Sequence, residues 1–459
     1  MKIREFNSDW LNPVLIKEVR QFFHNKLFFS LVGGLLGLQL LVLIIFNLTA
    51  SEWKDSRDAG TIFIIIDTIL MYVCVFGTAA WGAMQRFYNE RSSKELDISN
   101  ITLLTPLQIA GGKLASSLVI WALIAALCLP FMTVAYFFRN ITPGEIVTVF
   151  GLGVIPMLIV IQSALFCGAL GQRWGQAVFG YSCFQLLPIP VASIAAIFEG
   201  SASWEIFWLL QGGGFLLFLI LFAATVALLT PPFANRMFAL RLMLVIFLLP
   251  LLAVTPYVNG CKQEELQMIF CCFPIGIFAF LAFLNCCDRD EPGNRVLAQV
   301  PRNIFLRTGH YLLSSNRTGG VVLGVLLLMV YGIEMLIMST SQSTSLLMLG
   351  FSVGAYALFY SELAIYMSRK VPELPGWGWF LIICILLGLF TMVAAVGEDI
   401  DAVEIWTSPI SLFNEKGMPQ ILKFHFWAAP LAALVCGLPF AGQMLKRFKD
   451  YKAPLLPRE

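Results

Sequence analysis

The sequence predicts an all-α polytopic membrane protein: about twelve transmembrane helices preceded by an N-terminal interfacial helix. The first observation behind this is a series of long, nearly uncharged apolar stretches separated by short polar breaks. A hydrocarbon core of about 30 Å takes roughly 20 apolar residues of helix, and a single spanning segment hides its backbone polar groups only as a helix. The second is composition, with 58% hydrophobic and 13% charged residues and a mean hydropathy of +0.81. The third is charge placement. When loops are assigned alternately to two sides, 24 of the 30 Lys and Arg fall on the side of the N-terminus. The positive-inside rule makes that side the cytoplasm, and an even number of spans puts both termini there.

In chain order, residues 1–27 form a cytoplasmic segment containing the amphipathic helix. The predicted spans are 28–48, 62–84, 114–138, 146–170, 177–198 and 206–230, then 242–258, 266–286, 321–338, 346–367, 377–396 and 426–445. Pro188 and Pro190 would kink or break the fifth. Residues 28–230 group as one six-span module and 231–459 as an additional module of about six spans. The cytoplasmic loop 287–320 is long, and so is the outer segment 397–425. No internal repeat is legible, because each motif below occurs once. Gly33–Gly37 and Gly350–Gly354 carry the Gly-x-x-x-Gly spacing of close helix packing. Twelve spans with short loops leave no room in 459 residues for a soluble catalytic domain.

Asn12 is a good N-cap and Pro13 suits the first helical turn. On a helical wheel Leu15, Ile16, Val19, Phe22, Phe23 and Leu27 share one arc, while Lys17, Arg20, Gln21, His24 and Asn25 take the other side; Val14 and Lys26 fit neither. A basic amphipathic helix running straight into a span reads as one lying in the membrane interface. The other informative segment runs from Glu90-Arg91 to Lys113. Its stretch from Ile101 reads as a short apolar-faced helix, stopped by Pro106 and followed by a break at Gly111-Gly112. Such a helix would dock on another protein rather than cross the bilayer.

These segments carry a resemblance. Asn12-Pro13-Val14-Leu15-Ile16-Lys17-Glu18-Val19-Arg20 resembles the start of ABC type-2 transporter permeases. Glu90-Arg91, Leu96-Asp97, Leu103-Leu104-Thr105-Pro106-Leu107 and Gly112-Lys113 resemble the cytoplasmic segment after their second span, and Pro130 matches a habit of their third. The spacing departs from the family pattern by a few residues on each side of Thr105-Pro106, and the resemblance covers about the first 230 residues. It implies an interfacial elbow helix positioned by Asn12, Pro13, Lys17, Glu18 and Arg20. It also implies coupling to a separate ABC ATPase subunit through Glu90, Arg91, Leu104, Thr105, Pro106 and Lys113. The permease would be non-catalytic and bind no cofactor itself, with ATP and Mg on the partner ATPase. A second permease copy, a bacterial inner membrane and no nucleic-acid partner complete the expectation. The chain agrees by omission: Gly112-Lys113 is followed by Leu114, and Leu107 stands where a phosphate-binding loop needs its first glycine.

Other polar residues support rival readings. Asp399 and Asp401, in the outer segment, are spaced to hold a divalent cation, as in a membrane-embedded glycosyltransferase. Asp67, Glu334 and Glu362 lie inside predicted spans, where a carboxylate is a functional candidate for an ion-coupled carrier. Their predicted depths differ, which favours interface or hydrogen-bonded packing roles. The three histidines, His24, His310 and His425, sit in distant segments and argue against a histidine metal centre.

Overall fold

The computed structural model describes residues 12–49, 59–93, 104–134, 136, 143–171, 176, 179–180, 204–231, 234–260, 264–288, 294–338, 344–371, 374–384, 428–431 and 446–451. Among them the secondary structure is helical, and six helices are long and apolar enough to cross a membrane: Phe28–Leu48, Gly60–Ser92, Pro106–Val134, Ile146–Leu170, Gln211–Leu229 and Arg317–Glu334. Two shorter apolar helices are Phe238–Leu251 and Pro274–Cys287. The protein is therefore an all-α, multi-pass membrane protein. The fifth and twelfth predicted spans fall almost wholly outside the described residues.

The chain divides into two compact units, Met1–Thr230 and Pro231–Glu459. The first begins with α1 (Pro13–Phe23) and α2 (Lys26–Leu48). Next, α3 (Ala59–Val75) passes through a π turn (Phe76–Ala80) into α4 (Trp81–Ser92). Gly77, Thr78, Ala79 and Ala80 make this turn small, and the hydroxyl of Thr78 donates to Cys74 O at 2.7 Å. A π turn adds a residue to one turn and so rotates the face presented beyond it. The unit is completed by α5 (Pro106–Val134), α6 (Pro143–Leu170) and α7 (Trp204–Leu229). Its core is apolar and aromatic, with Phe22, Phe28, Phe46, Phe63, Met71, Ile120, Ile124 and Met132 all buried. Phe22 and Phe28 meet edge to face at 4.7 Å, which fixes the turn from α1 into α2.

The second unit holds α8 (Phe238–Gly260), α9 (Glu264–Cys287), α10 (Asn294–Ala298), α11 (Ile304–Leu313), α12 (Arg317–Met338) and α13 (Thr344–Lys370). Here α9 is central and packs on α8, α12 and α13.

The order of packing within the two units is the same. In the first, α2 packs on α3, α3 and α2 on α5, α4 on α6, and α5 on α6. In the second, α8 packs on α9, α9 and α8 on α12, α9 on α13, and α12 on α13. First, second, third and fourth long helices thus touch in one pattern twice, although no repeat is legible in the sequence.

Two expectations need correction. Pro106 starts a helix and Gly111-Gly112 lies inside α5 without a break, while residues 101–103 of the expected short helix lie outside the described residues. Thr105 and Gln108 explain this: Thr105 N–H donates to Gln108 Oε1 at 2.9 Å and Gln108 N–H donates to Thr105 Oγ1 at 3.2 Å. That is a capping box, with proline at the first helical position where no amide donor is needed. The glycine pairs differ too. A side chain at Gly350 or Gly354 would press on Tyr331, Leu328 or Phe278, whereas one at Gly33 or Gly37 would meet nothing among the described residues. Only the second pair is used for packing within its unit.

Candidate functional site

Each unit gathers charged side chains at one end of its helices. In the first unit the site is built from α1, the end of α4 and the start of α5. Asn12 Oδ1 accepts the Val14 N–H at 3.0 Å and so caps α1, while its Nδ2 donates to Gln108 O at 2.5 Å in the first turn of α5. Pro13 fills the first helical position. This places α1 with three faces. Phe22 and Glu18 point into the protein and are buried, Ile16 and Phe23 are exposed apolar groups, and Lys17 and Arg20 face outward.

Glu18 is the unexpected member of that inward face. Its carboxylate takes Arg86 Nε at 3.1 Å on one oxygen and Lys113 Nζ on the other. Lys113 also reaches Glu90 at 2.7 Å, and Lys17 closes the chain on Glu90 at 2.9 Å. Glu18 and Lys113 are only 3% and 4% exposed, so neither charge has bulk water to fall back on. Aromatic faces complete the shell: Lys113 Nζ sits 4.7 Å from the Phe87 ring centre, and the Arg86 guanidinium 5.0 Å from that of Phe22. Close approach is possible because a Cβ at Gly112 would come within 2.8 Å of both Asn12 and Val14. Losing one partner of such a buried pair costs about 3–5 kcal/mol, because the other charge is left uncompensated.

A separate contact ties α4 to the end of α6. Arg91 Nη1 donates to Ala169 O, and its side chain lies where a Cβ at Gly171 would go. Gly171 ends α6 with φ +68°, a left-handed conformation that glycine adopts without strain. Beside it Gln176 donates to Gln85 at 3.1 Å.

In the second unit the centre is Arg241, whose side chain is fully buried. Nη1 donates to Ser314 O and, at 3.0 Å, to Asn316 O; Nη2 reaches Asp288 Oδ2 at 3.1 Å and Asn285 Oδ1 at 3.4 Å. Arg236 lies 3.6 Å from the other Asp288 oxygen and donates to Cys287 O at 3.0 Å. Arg317 donates to Asn285 O at 3.3 Å and Asp288 O at 2.9 Å. All of these carbonyls except that of Asn316, which precedes α12, belong to the C-terminal ends of α9 and α11, where the helix dipole favours cations. A Cβ at Gly320 would overlap Asn285 Oδ1 and the Arg241 guanidinium. At the edge of the junction, Tyr451 donates to Ser314 Oγ at 2.9 Å and pairs at 2.9 Å with His310 Nδ1. Burial holds the His310 imidazole below its ordinary value of 6.5.

Four of the residues singled out from sequence therefore meet, Lys17, Glu18, Glu90 and Lys113, while Asn12 and Pro13 start the helix that carries two of them and Asn12 ties it to α5. Thr105 and Pro106 cap α5 beside them, and Leu104 is half-buried. Arg20 stays exposed. Glu90 and Arg91, expected to offer their charges to a partner, engage them inside the first unit. Sequence reasoning missed Arg86 and Gln108, and it missed the whole Arg241–Asp288 junction. The signal for Gln108 was the Thr-Pro-x-Gln spacing of a capping box. For Arg241 it was a lone arginine among Phe238, Ala239, Leu240, Leu242 and Met243, just outside the predicted span 242–258.

Asp67 accepts a 2.6 Å hydrogen bond from Gln39, tying α3 to α2 in the hydrogen-bonded packing role expected for it. Glu362 is buried in α13. Asp399, Asp401 and His425 lie outside the described residues. No family model, curated protein or solved structure matches the chain.

Proposed function

We propose that this chain is the membrane-spanning permease subunit of an ATP-driven transporter of the ABC type-2 class, acting in export from a bacterial cell and driven by a separate cytoplasmic ATPase. One observation carries the reading. The residues that bear the resemblance come from three segments far apart in sequence, and Lys17, Glu18, Glu90 and Lys113 meet with Arg86 in one ion network centred on the buried Glu18–Lys113 pair. A network of that kind makes α1, the end of α4 and the start of α5 move as one piece. A push on the segment between α4 and α5 would then reach α2, α3 and α5 together. The ion network supplies rigidity and no chemistry of its own; ATP and Mg would be handled by the partner.

The test is affinity purification from the native host, followed by an ATPase assay of what accompanies the chain. Wild type should bring an ATP-hydrolysing partner. Lys17→Glu sets a second acid beside Glu90 without burying a new charge, since Lys17 is half-exposed. It should leave the protein inserted and the partner bound but blunt the stimulation of ATP hydrolysis by the permease. Recovery of intact wild type without any ATPase in several mild detergents would refute the proposal.

A further inference from the structure

The two polar junctions occupy the same place in their units. In the first, charges gather the segment entering the first long helix (Lys17, Glu18), the end of the second (Arg86, Glu90) and the start of the third (Lys113). In the second they gather the entry to the first (Arg236, Arg241), the end of the second (Asn285, Asp288) and the start of the third (Arg317). A glycine at the start of the third helix permits the approach in both, Gly112 in one and Gly320 in the other. The fourth helix joins alike. Gly168 of α6 lies against Met84 O and Phe87 near the end of the second helix. In the other unit, Cys286 Sγ donates to Ser361 O in α13, at 3.6 Å.

Charges at the same end follow for any membrane bundle from the positive-inside rule; the shared packing pattern and the shared helix that supplies the glycine do not, and these carry the comparison. The side chains do not correspond. A buried carboxylate, Glu18, stands at the centre of one junction, and a buried guanidinium, Arg241, at the centre of the other. The central group stands ahead of the first long helix in one unit and in the first turn of that helix in the other, so the likeness is one of helix packing and not of matched residues.

We infer that residues 231–459 form a second permease-type unit built on the same three-helix junction as residues 1–230, so that one chain supplies both membrane halves of the complex. The place expected for a second permease copy is filled from within this chain, and the partner complement is two ATPase copies for one chain. The role given to each half rests on the permease reading; the duplication rests on the packing alone.

Two copies of the full chain carrying different affinity tags, co-expressed in the native host, give the decisive measurement. After mild solubilisation, neither tag should bring down the other, and native mass spectrometry should find one chain with two ATPase copies. Co-purification of both tags with one ATPase per chain would overturn the inference while leaving the permease reading intact. Separate tags with no ATPase would sink the permease reading and keep one chain as the complete membrane unit. A second measurement addresses the new junction directly. Arg236→Glu, which like Lys17→Glu sets a second acid beside a carboxylate of its network, though at a side chain 14% exposed against 52%, should blunt stimulation of the ATPase in the same way, with Arg236→Lys retaining it. Full stimulation in Arg236→Glu, in protein that runs as a single species on size exclusion, would mark residues 231–459 as accessory and overturn the inference.

Discussion

The two junctions meet one physical demand, holding three helix ends together where water is scarce, with opposite bookkeeping. The first sets charge against charge: Glu18 answers two cations and Lys113 two anions. The second sets three arginines, Arg236, Arg241 and Arg317, on a single carboxylate and on backbone carbonyls at two helix ends. A carboxylate is a concentrated countercharge that one substitution removes. Helix-end carbonyls are a diffuse one that no side-chain change removes, but using several at once takes the rigid fork of an arginine. The first junction should thus be fragile to loss of an acid, the second to loss of guanidinium geometry.

The largest effect expected from this comparison is for Glu18→Gln. The amide presents its oxygen to only one of Arg86 and Lys113 and turns its N–H₂ toward the other, so that Lys113 keeps Glu90 as its one carboxylate and Arg86 loses its countercharge. The cost is about 3–5 kcal/mol, a fall in the thermal midpoint on the order of 10 °C for a unit of this size. Asp288→Asn should cost only about 1–2 kcal/mol, because Arg241 keeps Ser314 O and Asn316 O and the amide nitrogen can face the more distant Arg236. Thermal unfolding of the detergent-solubilised variants, followed by fluorescence size exclusion, measures both. Equal losses would break the distinction between the junctions.

The reverse order is expected for the arginines. Arg241→Lys replaces a fork that reaches five acceptors by a single ammonium on a shorter reach and should cost roughly 2 kcal/mol. Arg86→Lys should cost less than about 1 kcal/mol, since Arg86 touches Glu18 through Nε alone, is partly exposed, and a lysine can keep its place over Phe22. The same thermal assay reads the difference, and a larger loss at Arg86 than at Arg241 would reject it.

How much of this was legible in the sequence follows from the kind of signal each feature leaves. Long apolar stretches announce membrane helices by length alone, so the class was readable. The α1 cap was readable from Asn12-Pro13 because it needs only neighbours in sequence. Glu18 was not assignable to a face by a two-sided wheel, because α1 has three faces, and the one toward the protein mixes Phe22 with a carboxylate. Its partners lie 68 and 95 residues away, at separations no periodicity encodes. Pro106 was misread since a proline breaks a helix only from its interior; at the first turn it starts one, and Gln108 was the residue that told the two cases apart. The duplication stayed hidden because its two copies keep helix packing and not matched residues.

The smallest effect belongs to the rim of the second junction, where His310 accepts or donates against Tyr451 and burial disfavours the imidazolium. The sign follows from proton counting. Below the ordinary histidine value of 6.5 the unfolded chain takes up a proton that the folded chain resists. The folded state therefore binds fewer protons there, and its stability rises with pH. The contribution is fully present above 6.5 and is lost as pH falls through the lowered folded value. His310 is half-buried, so water moderates the penalty and the slope is shallow. Replacing it in His310→Gln keeps a polar group opposite Tyr451 and removes the titration. Thermal midpoints taken from pH 7.5 to 5.5 should fall slightly more steeply for the wild type than for the variant, with the divergence beginning near 6.5. A wild type that gains stability over that interval, relative to the variant, would mean that the imidazolium is stabilised at the Tyr451 contact rather than excluded from it.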